Sequence, residues 1–290
     1  MYERIFIGVD FSEDSLAAVR WTASRFPEAE LTLFHAVEPP AAPNYALRSL
    51  DGGEDLAREK EHDARANLEH ARDECAPGAR LEICPGWPPR ELNRAAVAAG
   101  AELMVVAAHP VRAGPSDETG ETCVAIVKKA TIPVLVWRPT RRDRDHTILA
   151  AVDLREGSVP IAATAARFAE HFDTRLVLFH VLPSGLQPYV RAVSTPAKAE
   201  ETQRSLEQAA RLAALERLPE ALRDSPRVHV RIGRGKPITG QIIEAAEHEA
   251  ADLIVAGKNH APAFTGRVLL GNITGKLVRW SASSVLVVPV

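Results

Sequence analysis

The sequence predicts an α/β chain made of two tandem doubly wound domains, and three observations carry that prediction. First, five landmarks recur in the same order along the 290 residues. Ile5-Phe6-Ile7-Gly8-Val9-Asp10 returns as Ile148-Leu149-Ala150-Ala151-Val152-Asp153, and Leu31-Thr32-Leu33-Phe34-His35-Ala36-Val37 returns as Leu176-Val177-Leu178-Phe179-His180-Val181-Leu182. Gly86-Trp87-Pro88 matches Gly235-Lys236-Pro237, Leu103–Ala107 matches Leu253–Gly257, and Ile132–Val136 matches Ser283–Val287. The repeating unit is roughly 145 residues, an ordinary domain size. Second, the apolar runs are continuous Val, Ile and Leu rather than alternating, which marks strands covered on both faces of a parallel sheet. Third, these runs alternate strictly with longer amphipathic segments, as helices covering such a sheet would.

The elements follow in chain order. In the first half, strands are expected near 4–10, 30–37, 80–84, 102–108 and 133–137, with helices near 13–26, 55–76, 87–100 and 119–130. Asp10-Phe11-Ser12-Glu13 supplies an acid and a hydroxyl at the first helix start, where the helix dipole favours negative charge. In the second half, strands are expected near 147–153, 175–182, 226–232, 252–257 and 284–289, with helices near 158–171, 196–222, 236–249 and 271–281. Arg138-Pro139-Thr140-Arg141-Arg142-Asp143-Arg144-Asp145-His146 is charged, holds a proline and has no apolar period, so it reads as the linker. The domains are therefore placed at 1–140 and 146–290. The charged helices 55–76 and 200–222 read as solvated faces, with a partner surface as the alternative. The loop 39–54, which contains several Pro and Gly residues, reads as a lid or a partner contact beside a pocket, or as a merely mobile loop.

Composition removes several functions. A net charge of −3 and a pI near 6.4 provide no general basic field for a nucleic-acid backbone. Aromatics at 5% are too few for base-stacking surfaces. The three cysteines, Cys75, Cys84 and Cys123, are widely spaced with no CxxC pair, which argues against a disulfide framework or a cysteine zinc site. No stretch approaches the roughly 18 apolar residues of a membrane span, and Met1–Arg4 leads straight into a strand without a signal-peptide core. A cytoplasmic protein without nucleic-acid or membrane partners is expected.

In open α/β sheets, ligands sit beyond the carboxyl ends of the strands where strand order reverses. In the second half that place is Gly257-Lys258-Asn259-His260, a loop through Gly266-Arg267, and Gly271-Asn272-Ile273-Thr274 opening a helix. Glycines allow close backbone approach, and the unpaired N–H groups of a helix start favour an anion. This is a candidate phosphate cradle. His35 and His180 stand at equivalent strand ends with no HxxxH or carboxylate set beside them, and read as packed structural histidines. Ser12, Ser15 and Ser158 lack a nucleophile elbow and read as helix caps.

These residues together resemble the universal stress proteins, in a tandem two-domain form similar to the E-type subgroup. The Val-Asp after the first strand, the Phe-His-Val end of the second, the Gly-x-Pro before the third helix and the closing Val-Leu-Val strands carry the resemblance over nearly the whole chain. It implies Rossmann-like domains with five mainly parallel strands in the order 3-2-1-4-5, packed as an internal pseudo-dimer through Ile132–Trp137 and Ser284–Val290. A further homodimer stays open. ATP-binding members read Gly-x-x-Gly, nine residues, then Gly and a small hydroxyl residue, with the aspartate and second-strand backbone holding the nucleoside.

Carried over, the resemblance assigns Asp153, Val181, Gly257, Gly271 and Asn272 to nucleotide binding in the second domain, with Lys258 and Arg267 adding charge and Asn259, Gly266, Ile273 and Thr274 completing the loop. His260 stands where the second glycine is expected, and ten residues separate it from Gly271. The first-domain pocket is degenerate: Asp10 and Val37 remain, but Ala107 replaces the first glycine, Pro110 the second, and Gly120 is followed by Glu121, with His109 nearby. An ionised carboxylate repels phosphate and has no proton to donate, so no triphosphate is expected there. The resulting function is a stress-response protein that binds a small molecule, ATP or AMP in the second domain, and signals to a protein partner. Magnesium enters only with ATP, and catalysis is at most weak ATPase activity, since no base, nucleophile or metal set is visible. The alternatives are a nucleotide hydrolase or transferase of the same α/β group, and a nucleotide-free scaffold for another small molecule.

Overall fold

The continuous apolar runs form parallel strands whose helices cover both faces. The computed structural model describes residues 1–38, 53–108, 120–139, 147–182, 195–235, 237–258 and 272–290, with no side-chain description at 53–57, 196 and 272. The expected lid 39–54 lies mostly outside the described residues, as does most of the linker. The chain divides into two compact units, Tyr2–Pro139 and Thr140–Val290.

In the first unit the order along the chain is β1 (Arg4–Gly8), α1 (Glu13–Arg25), β2 (Glu30–Val37), α2 (Gly53–Cys75), β3 (Arg80–Pro85), α3 (Pro88–Ala98), β4 (Leu103–Ala107), α4 (Glu121–Lys129) and β5 (Val134–Trp137). The strands are parallel and stand in the order β3-β2-β1-β4-β5. β1 is central, with Ile5 opposite Leu31 on one side and Leu103 on the other. Strand order reverses between β1 and β4, which fixes the switch point.

Ile5, Phe6, Ile7, Leu33, Leu103, Met104 and Val105 are all within 1% of complete burial. Covering both faces with helices makes this continuous burial favourable for every strand residue. α2 is charged on most of its surface but buries Ala64, Leu68, Ala71 and Cys75, one stripe at helical spacing. Its His62 and His70 are exposed, as the solvated reading of this helix expects.

The second unit repeats the plan with β6 (Thr147–Ala151), α5 (Ser158–His171), β7 (Arg175–Leu182), α6 (Pro196–Leu215), β8 (Val228–Arg234), α7 (Ile238–His248), β9 (Leu253–Lys258), α8 (Asn272–Trp280) and β10 (Ser284–Pro289). Its strand order is β8-β7-β6-β9-β10, again parallel. Ile148 faces Leu176 and Leu253, the same register as Ile5 in the first unit.

Two of the boundaries that differ from expectation have a plain physical cause. The helix expected over 196–222 stops at Leu215, and a single 3-10 turn, Glu220–Leu222, follows Pro219. Proline lacks an N–H and clashes with the preceding turn, so the helix cannot run through it. β8 begins at Val228 rather than 226 because Ser225–Val228 closes a turn, Val228 N–H donating to the Ser225 carbonyl at 3.0 Å with Pro226 inside it.

The units also differ at one helix end. After α3, Gly100 takes a left-handed φ of 64°, and Ala101 N–H reaches back to the Ala96 carbonyl at 2.9 Å. After α7 the same closure forms, with Ala251 N–H on the Ala246 carbonyl at 2.8 Å, but Ala250 must hold φ 53°. A Cβ is unfavourable there. Ala250→Gly should therefore stabilise the protein by about 1 kcal/mol, read as a raised midpoint in urea unfolding; an unchanged or lowered midpoint contradicts it.

Candidate functional site

At the carboxyl end of β6, β7 and β9, the second unit has an open cleft of about 330 Å³. Three helix starts bound it. Gly157 and Ile161 come from the entry of α5, Ile238 and Ile242 from α7, and Ile273, Thr274 and Leu277 from α8. Ala151, Val152 and Asp153 follow from β6, Phe179, His180 and Val181 from β7, and Ala256 and Gly257 from β9. The position is the switch point, where neighbouring helices lie on opposite faces and leave the strand ends uncovered. The lining is mainly aliphatic, with Asp153, His180 and Thr274 as its polar members.

Of the sequence-predicted residues, the cleft gathers Asp153, Val181, Gly257, Ile273 and Thr274. Asn259, His260, Gly266, Arg267 and Gly271 lie outside the described residues, and Asn272 is placed only as the first residue of α8. Lys258 is not with the others. β9 runs one residue further than expected, so Lys258 is a strand residue paired with Pro289, its carbonyl accepting from Val290 N–H at 3.1 Å. Its side chain is 1% exposed, and burial pushes the ammonium down to about 8. It is therefore a buried strand residue rather than a loop cation.

Gly257 leaves room for Ile161. A Cβ there would lie 2.5 Å from Ile161 Cδ1 and 3.3 Å from Val290 Cγ2. Thr274 closes the same corner: it is buried, and its hydroxyl donates to the Gly257 carbonyl at 2.6 Å. In the first unit Cys123 stands at the Thr274 position, and its Sγ donates to the Ala107 carbonyl at 3.1 Å. That correspondence anchors Ala107 to Gly257, Gly120 to Gly271 and Glu121 to Asn272.

The aspartates end the first strands of their units, and each is followed by a residue forced into left-handed backbone, Phe11 at φ 64° and Leu154 at φ 63°. Bulky residues rarely accept this conformation, so strain is stored where the strand turns into the helix. His35 and His180 brace that turn. Each imidazole donates from Nδ1 to a carbonyl, Val9 at 2.7 Å and Val152 at 2.9 Å, as packed structural histidines would. Phe11 also packs on His35 with ring centroids 4.3 Å apart.

Only one of the three serines read as caps is a cap. Ser12 caps α1, accepting from Ser15 N–H at 3.1 Å. Ser15 donates instead to the Ser12 carbonyl, and Ser158, in the first turn of α5, bonds Asp153. Neither was legible as such, because a hydroxyl in the first helical turn can face the backbone or a neighbouring side chain equally well.

The first unit places Asp10, Val37, Ala107, Gly120 and Glu121 at the matching strand ends and helix start, while His109 and Pro110 lie outside the described residues. The Val37 carbonyl accepts from Gly86 N–H at 3.0 Å, and Glu121 is exposed at the first position of α4. Asn93 stands where the second unit has Ile242 and ties α3 to α4, donating to the Ile126 carbonyl at 3.2 Å. Arg138, after β5, is buried, which pushes its guanidinium down to about 10. Among the described residues, no three His, Cys, Asp or Glu side chains gather as a metal-holding group, and no helix is long and apolar enough to cross a membrane.

The universal stress protein family model matches residues 1–138 and again 146–289. The chain belongs to the universal stress protein family. This universal stress protein is 29% identical over 297 residues to one from Mycolicibacterium smegmatis, with 98% of this chain and 96% of the relative covered. The crystal structure of a universal stress protein from Archaeoglobus fulgidus shares the fold with a TM-score of 0.64 at 16% identity, covering 99% of this chain and 98% of that one. A protein described as functionally unknown from Pseudomonas aeruginosa matches with a TM-score of 0.65 at 17% identity, covering 99% and 92%. Both likenesses span two tandem units, so the duplication itself is part of the shared fold.

Proposed function

We propose that this universal stress protein is a cytoplasmic stress-response protein that binds an adenine nucleotide, ATP or AMP, in its second unit and passes the bound state to a protein partner. The observation that carries the reading is the convergence of Asp153, Val181, Gly257 and Thr274 on one cleft at the switch point. The residues fit the nucleoside side of such a ligand. Ile161, Ile238, Ile242 and Leu277 give an aliphatic wall for a purine face, and Asp153, with 54% of its side chain exposed, is an acceptor for sugar hydroxyls. A volume of about 330 Å³ is at the lower end of small-molecule sites, which suits the nucleoside more than the whole triphosphate.

Under this reading Asn259, His260, Gly266, Arg267 and Gly271 supply the phosphate side, with the α8 start contributing its N–H groups. Magnesium accompanies the ligand only if it is ATP. The first unit binds no triphosphate, because Glu121 adds a negative charge at the helix start where Asn272 stands in the second. Three free cysteines, Cys75, Cys84 and Cys123, suit a reducing compartment.

Calorimetric titration of the full chain with ATP, AMP and adenosine tests the proposal. Saturable heat with at least one of them is expected, and no heat at millimolar concentration ends it.

A further inference from the structure

Asp153 recognises a ligand hydroxyl at lower entropic cost when its carboxylate is already held in one orientation, and the structure contains the group that holds it. Asp153 Oδ1 receives two hydrogen bonds, one from the Ser158 hydroxyl at 2.6 Å and one from Arg155 N–H at 3.1 Å. The same Ser158 oxygen accepts from Asp153 N–H at 3.0 Å, so serine and aspartate close a ring between the strand end and the first turn of α5. Ser158 is 0% exposed and therefore held by its surroundings, whereas the Asp153 side chain is 54% exposed. Both close donors fall on Oδ1. Among the described residues Oδ2 meets only the exposed Arg155 guanidinium, at 3.9 Å, beyond hydrogen-bonding distance.

We propose that Ser158 is a positioning residue for ligand recognition: it fixes Asp153 so that Oδ2 is presented to a ligand bearing a sugar hydroxyl. The proposal rests on the nucleotide reading of the cleft and adds the buried group that makes the aspartate selective. The first unit gives an internal contrast. There Asp10 Oδ1 receives Ser12 N–H at 3.1 Å and the Ser12 hydroxyl at 2.7 Å, both from its own loop. Ser15, at the position of Ser158 and 1% exposed, donates to the Ser12 carbonyl at 3.0 Å. The strand-end aspartate common to both units is thus held from the helix in the second and from its own loop in the first. A carboxylate already oriented loses less rotational freedom on binding, so the benefit appears as affinity for ligands that use it.

The test uses the full chain and two probes, adenosine and 2′,3′-dideoxyadenosine, which differ only in the sugar hydroxyls. Ser158→Ala should weaken adenosine by about tenfold and leave dideoxyadenosine unchanged, because only the first uses the carboxylate. In an Asp153→Asn background, Ser158→Ala should have no further effect on adenosine. Equal weakening of both probes, or of neither, overturns the proposal. If the wild-type protein binds neither probe, the titrations with ATP and AMP decide the nucleotide reading, and the Ser158 contact is judged in the free protein by amide exchange. There Ser158→Ala should accelerate the Asp153 amide while leaving amides of β9 unchanged; an unchanged Asp153 amide overturns the contact itself.

Discussion

Replacing Gly257 by alanine should weaken the proposed nucleotide binding and destabilise the protein by about 1 kcal/mol, the low end for overpacking, because the group that must give is the tip of the Ile161 side chain. The added Cβ falls 2.5 Å from Ile161 Cδ1, so the isoleucine must move. Ile161 is 5% exposed and lines the cleft, and Val290 also stands against the added Cβ, its Cγ2 at 3.3 Å. The first unit shows how the conflict is avoided. At the positions of Gly257 and Ile161 it has Ala107 and Ala18, the latter fully buried where α1 packs on β4. An alanine on the strand is accommodated by a smaller residue on the helix. Ile161→Ala combined with Gly257→Ala should consequently recover much of the stability that Gly257→Ala loses, a coupling between touching residues. Chemical denaturation of both single variants and the double variant measures this, and strictly additive losses would show that Ile161 is not what the Cβ meets.

The second large effect is the pH dependence of Lys258. Its folded pKa is lowered to about 8 from 10.5, with burial as the cause. Below about pH 8 both the folded and unfolded chains carry the proton, and the folded one bears the cost of a partly desolvated ammonium. Between pH 8 and 10.5 the folded chain sheds the proton while the unfolded chain keeps it, so stability rises with pH in that window. Relative to Lys258→Met, the wild-type protein should gain about 3 kcal/mol across it, since each unit of pKa is about 1.4 kcal/mol. Unfolding curves of the two proteins from pH 7 to 11 give the difference; parallel curves would mean that the ammonium is not desolvated in the folded state.

Much of the fold was legible because burial on both faces of a parallel sheet leaves a plain mark. Ile5–Val9, Leu103–Ala107 and their repeats are apolar without alternation, and they fall in the centre of each sheet. What the sequence left obscure depends on space and direction. Gly257 reads as a glycine for backbone approach to phosphate, yet its immediate role is to leave room for Ile161, a residue far away in sequence. Lys258 reads as a loop cation, but one more residue of β9 pairing makes it a buried strand residue. Ser158 reads as a cap because serine at a helix start usually is one, and its bond to Asp153 needs the turn at Leu154 to be known first. The break after Leu215 was readable in principle, since Pro219 stands within the expected helix, but the apolar period continues through Leu218 and hid it.

The central claim is that two copies of one unit have become unequal, with nucleotide binding kept in the second. Native mass spectrometry of the full chain with ATP, applied to wild type, Asp10→Asn and Asp153→Asn, tests it most directly. One ATP per chain is expected on wild type and on Asp10→Asn, and a markedly lower occupancy on Asp153→Asn. Two ATP molecules on wild type, or loss of binding in Asp10→Asn with retention in Asp153→Asn, would contradict it.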